Sequence, residues 1–150
     1  MPGEERKVER ARFELRPLVE GDVAGGMDLY RAALLPLWLR YGRDHYLGRV
    51  EDNIRRHVGA ASYWMIVAVD PREPERGPVG YYAWEPYEDH TSWHLVAHLR
   101  MILVHPDLQG GGLGAEMIRR FEAAARERGC TKVLFDVITG SPAREFYDRQ

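Results

Sequence analysis

Between Gln109 and Ala115 the chain reads QGGGLGA, with glycine at 110, 111, 112 and 114. Glycines that dense cost backbone entropy, and they let another group approach the main chain closely. An apolar run, Leu99–Val104, precedes them, and a segment of helical periodicity begins at Leu113. A loop entering a helix presents unpaired N–H groups and the positive end of the helix dipole, a combination that favours an anion. A phosphate or pyrophosphate is its natural guest. The plainer reading is a glycine-rich turn that closes a strand-to-helix connection.

Three phosphate loops can be compared with it. A Walker A loop needs Lys and Ser or Thr after its last glycine, whereas Ala115 and Glu116 follow here. A dinucleotide fingerprint, G-x-G-x-x-A, is met by Gly110, Gly112 and Ala115, with Asp136 about 20 residues on. However, HPDLQ separates these glycines from the strand, and too little chain follows for a doubly wound sheet. The third loop is considered below, once the elements around it are placed.

Other residues with chemistry to offer lie on the strand before the loop. By a period of two, His94, His98, Arg100, Ile102 and Val104 share one face. An imidazole titrates at about 6.5, which suits His98 to take a proton from an ammonium through water; a hydrogen-bonded structural histidine is the other reading. Glu85, at the end of the preceding strand, is a second base candidate, or else a solvated loop acid. His90, His94 and His98 recur every four residues, but on a strand His94 and His98 stand roughly 13 Å apart, too far for one ion. No metal is expected.

Around these residues the sequence predicts Phe13–Leu18 as a strand and a helix after Asp22, its N-cap, carrying Val23, Met27, Tyr30 and Leu34 and ended by Pro36. A second helix covers Arg43–Val58. Strands Ser62–Val69 and Pro78–Trp84 form a hairpin, PYEDHTS is a loop, and Trp93–Val104 is a long strand. The clearest helix runs from Gly112 to a stop at Gly129, with Leu113, Met117, Phe121 and Ala124 as its apolar stripe. Thr131–Ile138 reads as a buried strand, and a last helix opens at Ser141 and Pro142.

The chain has 150 residues, 45% hydrophobic and 29% charged, as expected of a single domain (1–150) with a flexible terminus over 1–11. A net charge of -2 gives no reason to expect nucleic acid. A lone cysteine, Cys130, suits a reducing compartment, and MPGEERKVER has no apolar signal core. A cytoplasmic protein without a membrane partner is the expectation.

With the strand and helix in place, VHPDLQGGGLGAEMI resembles the acyl-coenzyme A loop of the GNAT superfamily of N-acetyltransferases, whose pattern is Arg/Gln-x-x-Gly-x-Gly/Ala. SPAREFYDRQ is similar to that family's A-x-x-x-Tyr helix, through Ala143 and Tyr147. The element order from residue 13 onward agrees with it. The sequence departs from the family at Gly140, where Asn is usual, and at Gln150, where Gly-Phe and a final strand normally follow.

The resemblance implies an α/β fold: a mixed, mostly antiparallel sheet flanked by helices on both faces, its final strand missing. It implies acetyl-CoA as cosubstrate, transferred to a primary amine by direct attack in a ternary complex. The pyrophosphate would sit on the N–H groups of Gly110, Gly112, Leu113, Gly114 and Ala115, within a loop that includes Gln109 and Gly111. Main-chain groups of Ile102, Leu103 and Val104 would pair with the pantetheine arm. Tyr147 matches the residue that protonates the leaving thiolate, or else packs beneath the cofactor, and His98 is placed like strand histidines that relay protons.

The acceptor, a small-molecule or peptide amine, would be walled by Trp38, Tyr41, Tyr46, Tyr82 and Trp84, with Glu88 and Asp89 attracting its charge. A non-catalytic acyl-CoA-binding module is the alternative function, and a dinucleotide-binding domain the distant one. An uncovered edge on Thr131–Ile138 predicts a homodimer.

Overall fold

The structure, a computed structural model, describes residues 13–40, 47–60 and 63–135. It forms one five-stranded sheet in the order β1-β2-β3-β4-β5. The strands are β1 (Glu14–Pro17), β2 (Trp64–Val69), β3 (Pro78–Asp89), β4 (His94–Val104) and β5 (Lys132–Phe135). The first three pairings are antiparallel, whereas β5 lies parallel to β4 after a crossover through a helix. Sequential antiparallel neighbours leave no strand-order reversal of the kind that binds a dinucleotide in a doubly wound sheet.

Among the described residues four α-helices accompany the sheet: α1 (Val23–Ala33), α2 (Leu35–Arg40), α3 (Leu47–His57) and α4 (Leu113–Glu127). Two cores result, one on each face. On one, Val23, Met27, Leu29 and Tyr30 of α1 and Val50 and Ile54 of α3 pack on Met65, Val67, Tyr81, Ala83 and Leu103. On the other, Leu113, Met117, Ile118 and Phe121 of α4 pack on Ala68, Val79, Tyr82, Trp84 and Leu99. No described helix is long and apolar enough to cross a membrane.

Several expectations are corrected. Asp22 precedes α1 but does not cap it: its backbone is helical, and its carboxylate accepts from Arg16 and from the Val19 N–H. Pro36 does not end α1, which stops at Ala33; it sits in the first turn of the separate helix α2, where its missing N–H costs nothing. The segment expected to be the loop PYEDHTS largely continues β3 to Asp89. Among the described residues β2 pairs with β3 only as far as Trp84, so Pro86 meets β4 alone and no ladder bond is lost on its other side. The strand expected to be buried at 131–138 shows Val133 at 44% and Leu134 at 40% exposure, since no described element covers it.

The correction of greatest consequence lies in β4. The register steps from Ala83↔Met101 to Trp84↔Leu99, so Arg100 is an inserted residue, a β-bulge. A bulge reverses the alternation. Ile102 and Val104 therefore pack with Ala97 and Leu99 on the α4 face, while Met101 and Leu103 join the α1 core. His98, next to Ala97 and Leu99, points to the opposite face from Ile102 and Val104; the five residues do not share a side.

Candidate active site

The glycine loop forms where β4 gives way to α4. After β4 a short 3-10 turn, Pro106–Leu108, directs the chain outward. Gly110 and Gly112 then adopt φ of +83° and +90°, a region that side chains rarely occupy. A Cβ on either would meet nothing within 4 Å, so glycine is needed for backbone shape and the space above the loop is open. Gly111 is used differently: its N–H donates to Leu108 O at 3.4 Å and a Cβ would lie 3.3 Å from that oxygen.

Gly112 is the N-cap of α4 and supplies no side-chain cap. The N–H groups of Leu113, Gly114 and Ala115 open the first turn, where a helix has no internal acceptors for them. Gly110 and Gly112, both exposed, lead directly into that turn. A chain of amides at a helix N-terminus, cleared of side chains, suits a diphosphate. Glu116 is the nearby acid, and its carboxyl is held below its ordinary range chiefly by Arg119.

Among the described residues, the strand leading into the loop has one unpartnered side. The β4–β5 ladder runs only from Val96↔Lys132 to Leu99↔Phe135, so past Leu99 no described strand flanks β4 opposite β3. The His105 N–H donates to Val79 O, and in an antiparallel ladder hydrogen-bonded pairs alternate. Leu103 is thereby committed to Tyr81, while the main-chain groups of Ile102 and Val104 turn outward. Gln109 reaches back into this gap, its Nε2 donating to Val104 O at 3.1 Å. The outward positions are two rather than the expected three.

The inner side of the bulge meets a cleft of about 530 Å³ between α3 and the sheet. Its floor is Met65, Tyr81, Ala83 and Met101, with Tyr63 at one end and Arg49, Asp52, Asn53 and Arg56 along α3. Burial raises the Tyr63 phenol above its ordinary value, Arg100 opposes that rise, and Glu85 adds to it. The Tyr81 hydroxyl donates to Met101 Sδ at 2.9 Å, closing the floor.

None of these residues stood out in the sequence. The expected wall of Tyr82 and Trp84 lies on the other face, against Phe121 of α4. Tyr41, Tyr46 and the Trp38 side chain fall outside the described residues, as does Tyr147. Glu88 is exposed, and Asp89 is occupied by the Thr91 N–H and the Ser92 hydroxyl.

The two candidate bases are register partners, Glu85↔His98. His98 is 7% exposed, its ring edge-on to Tyr87 at 6.2 Å. Glu85 accepts from Arg100 Nε at 2.8 Å. Neither lines the cleft, although His98 precedes Met101 on β4 by three residues and Glu85 follows Ala83, a cleft residue, on β3. His94 bonds Thr131 Oγ1. Among the described residues no group of three or more His, Cys, Asp or Glu is placed to hold a metal.

With the amide rim, the open strand edge and the cleft in view, comparison with known proteins becomes specific. The acetyltransferase (GNAT) family matches residues 24–150. The chain belongs to this family. It is accordingly an acyltransferase of a family that uses acetyl-CoA, and its sheet has the GNAT acyl-CoA N-acyltransferase fold. Solved structures share that fold at low identity. An acetyltransferase of Trypanosoma brucei is 24% identical, with a TM-score of 0.64 over 91% of this chain and 89% of that one. An aminoglycoside acetyltransferase from an uncultured soil metagenomic sample, in complex with sisomicin, is 16% identical, with a TM-score of 0.68 over 93% and 87%. An aminoglycoside N-acetyltransferase in complex with CoA is 16% identical, with a TM-score of 0.64 over 91% and 82%. No curated protein matches the chain.

Proposed function

We propose that this GNAT protein is a cytoplasmic N-acetyltransferase, a single domain that moves an acetyl group from acetyl-CoA to a primary amine by direct attack in a ternary complex. One observation carries the reading. Adjacent residues of β4 border both places: the Met101 side chain lines the cleft, and the Ile102 main chain faces the edge that no described strand covers and that runs into the glycine loop. An amine in the cleft is thereby brought beside whatever extends from the amide rim.

When bound, acetyl-CoA supplies the activated thioester. The N–H groups of Gly110, Gly112, Leu113, Gly114 and Ala115 bind its pyrophosphate, and Gly111 and Gln109 hold the loop in shape. Ile102 and the Val104 N–H pair with the pantetheine arm. His98 or Glu85 takes the proton from the ammonium through water, since neither reaches into the cleft itself. For Glu85 this requires sharing its carboxylate with Arg100. The Tyr147 hydroxyl delivers a proton to the departing sulfur.

Binding is tested by thermal unfolding. A ligand at 100 times its dissociation constant adds about 2.7 kcal/mol, which acetyl-CoA should show as a raised Tm. Gly112→Val should abolish that rise. Equal shifts in both proteins would remove the loop from the binding site.

The exposed apolar pair Val133 and Leu134 on β5 supports a further proposal, association into a homodimer through that edge. Sedimentation across concentration tests it: a monomer with slow amide exchange at Leu134, whose N–H faces away from β4, would show the edge to be otherwise covered.

A further inference from the structure

The acceptor cleft carries an unusual charge pattern. Arg49, Asp52, Asn53 and Arg56 follow one another at i, i+3, i+4 and i+7, so one face of α3 forms the polar wall. Arg55, one residue from this face, is neutralised by Glu51 and Glu20. Arg100, at the bulge, is neutralised by Glu85. Arg49 and Arg56, by contrast, make no ion pair among the described residues, although Asp52 is spaced to bridge to either. Among the described residues, two guanidiniums without an ion pair and one carboxylate, all exposed, thus line the α3 side of a cleft whose other side is Met65, Ala83 and Met101.

We infer that the acceptor is an amine that also carries a carboxylate, an amino acid with an apolar side chain, held by Arg49 and Arg56. This rests on the acetyl-transfer reading and deepens it. A guanidinium fork matches a carboxylate in shape and charge. The two arginines lie seven residues apart, about 10 Å along the helix, within reach of one guest lying along the cleft. Asp52 offers the ammonium its one counter-charge, and the floor accepts the apolar side chain. A polycationic amino sugar such as sisomicin, which the soil-metagenome acetyltransferase holds, would meet two like charges here and only one opposite.

The test compares phenylalanine and methionine with their decarboxylated counterparts and with sisomicin, in the parent, Arg49→Gln/Arg56→Gln and, as control, Arg31→Gln on α1. Turnover is followed as acetylated amine, and binding by NMR titration with CoA present. The amino acids should exceed their decarboxylated counterparts in kcat/KM by about 10- to 100-fold, the value of a charged hydrogen bond. The double variant should bring that ratio near one, while Arg31→Gln keeps it. A preference for decarboxylated amines or sisomicin, or a ratio unchanged in the double variant, overturns the inference and leaves acetyl transfer standing. Binding that discriminates through the two arginines without any turnover removes the transfer reading and overturns the acceptor assignment with it, leaving a carboxylate-binding cleft. Neither turnover nor discriminating binding overturns both.

Discussion

Arg100, the residue inserted into β4, donates from Nε to Glu85 Oε1 at 2.8 Å across the β3–β4 ladder. The bulge is thus pinned by an ion pair that is itself half-exposed. Such pairs contribute at most about 1 kcal/mol, so the importance of Arg100 lies in its backbone. Its insertion turns Met101 to the cleft and Ile102 to the α4 face. Deleting Arg100 forces one half of β4 to exchange faces, and we expect a loss of at least about 3 kcal/mol in urea unfolding. Arg100→Ala should cost no more than about 1 kcal/mol. Similar losses in the two variants would contradict a structural role for the insertion.

Gly80 offers a second test, of how the sheet supports the loop. A Cβ there would lie 3.1 Å from Leu103 O, 3.3 Å from Leu113 Cδ2 and 3.4 Å from Met117 Cε. The carbonyl cannot retreat without moving β4, and Leu113 is the first residue of α4. Gly80→Ala should lose about 1–3 kcal/mol by overpacking and raise the KM for acetyl-CoA. Unchanged stability and KM would mean that β3 does not set the position of the cradle.

What was legible in the sequence, and what was not, follows from how far each signal reaches. The glycine loop and α4 were readable because positive φ demands glycine and Leu113, Met117 and Phe121 repeat at helical spacing. The layered fold followed from the resemblance of the glycine loop, with the order of elements agreeing. The bulge was invisible, since strict alternation through Arg100 gives a plausible but wrong face for Ile102 and Val104. PYEDHTS reads as a loop because sequence does not show that the neighbour of β3 on one side pairs only as far as Trp84, which lets Pro86 stay in the strand. The α3 wall was missed because Arg49 and Arg56 look like an ordinary solvated face until Met65 and Met101 are seen opposite them.

Asp22 provides the pH prediction. Burial works to raise its pKa, but the paired bonds from Arg16 (2.6 and 3.0 Å) and the Val19 N–H outweigh it and hold the carboxyl below its ordinary 3.8. A depressed folded pKa gives stability that is present above 3.8 and lost as pH falls through the lower folded value. Asp22→Asn should therefore cost about 1–3 kcal/mol at neutral pH, and the difference from the parent should shrink below pH 3.8. A difference independent of pH would show that packing, not charge, holds the β1–α1 corner.

Tyr147→Phe separates acid catalysis from packing. If the phenol protonates the departing thiolate, turnover should fall within the roughly 10²–10⁴-fold range of a general acid, with little change in the KM for acetyl-CoA. Full turnover retained across alkaline pH would reduce Tyr147 to a packing residue.

The central claim is that one amide rim and one cleft bring acetyl-CoA and an amine together for acetyl transfer. Its most direct test is stoichiometry: mass-spectrometric counting of acetylated amine against free CoA thiol, in the parent and in Gly112→Val. The account predicts one acetylated amine for each thiol released by the parent, and neither product from the variant at the same acetyl-CoA concentration. Thiol released without acetylated amine, or equal product from both proteins, would contradict it.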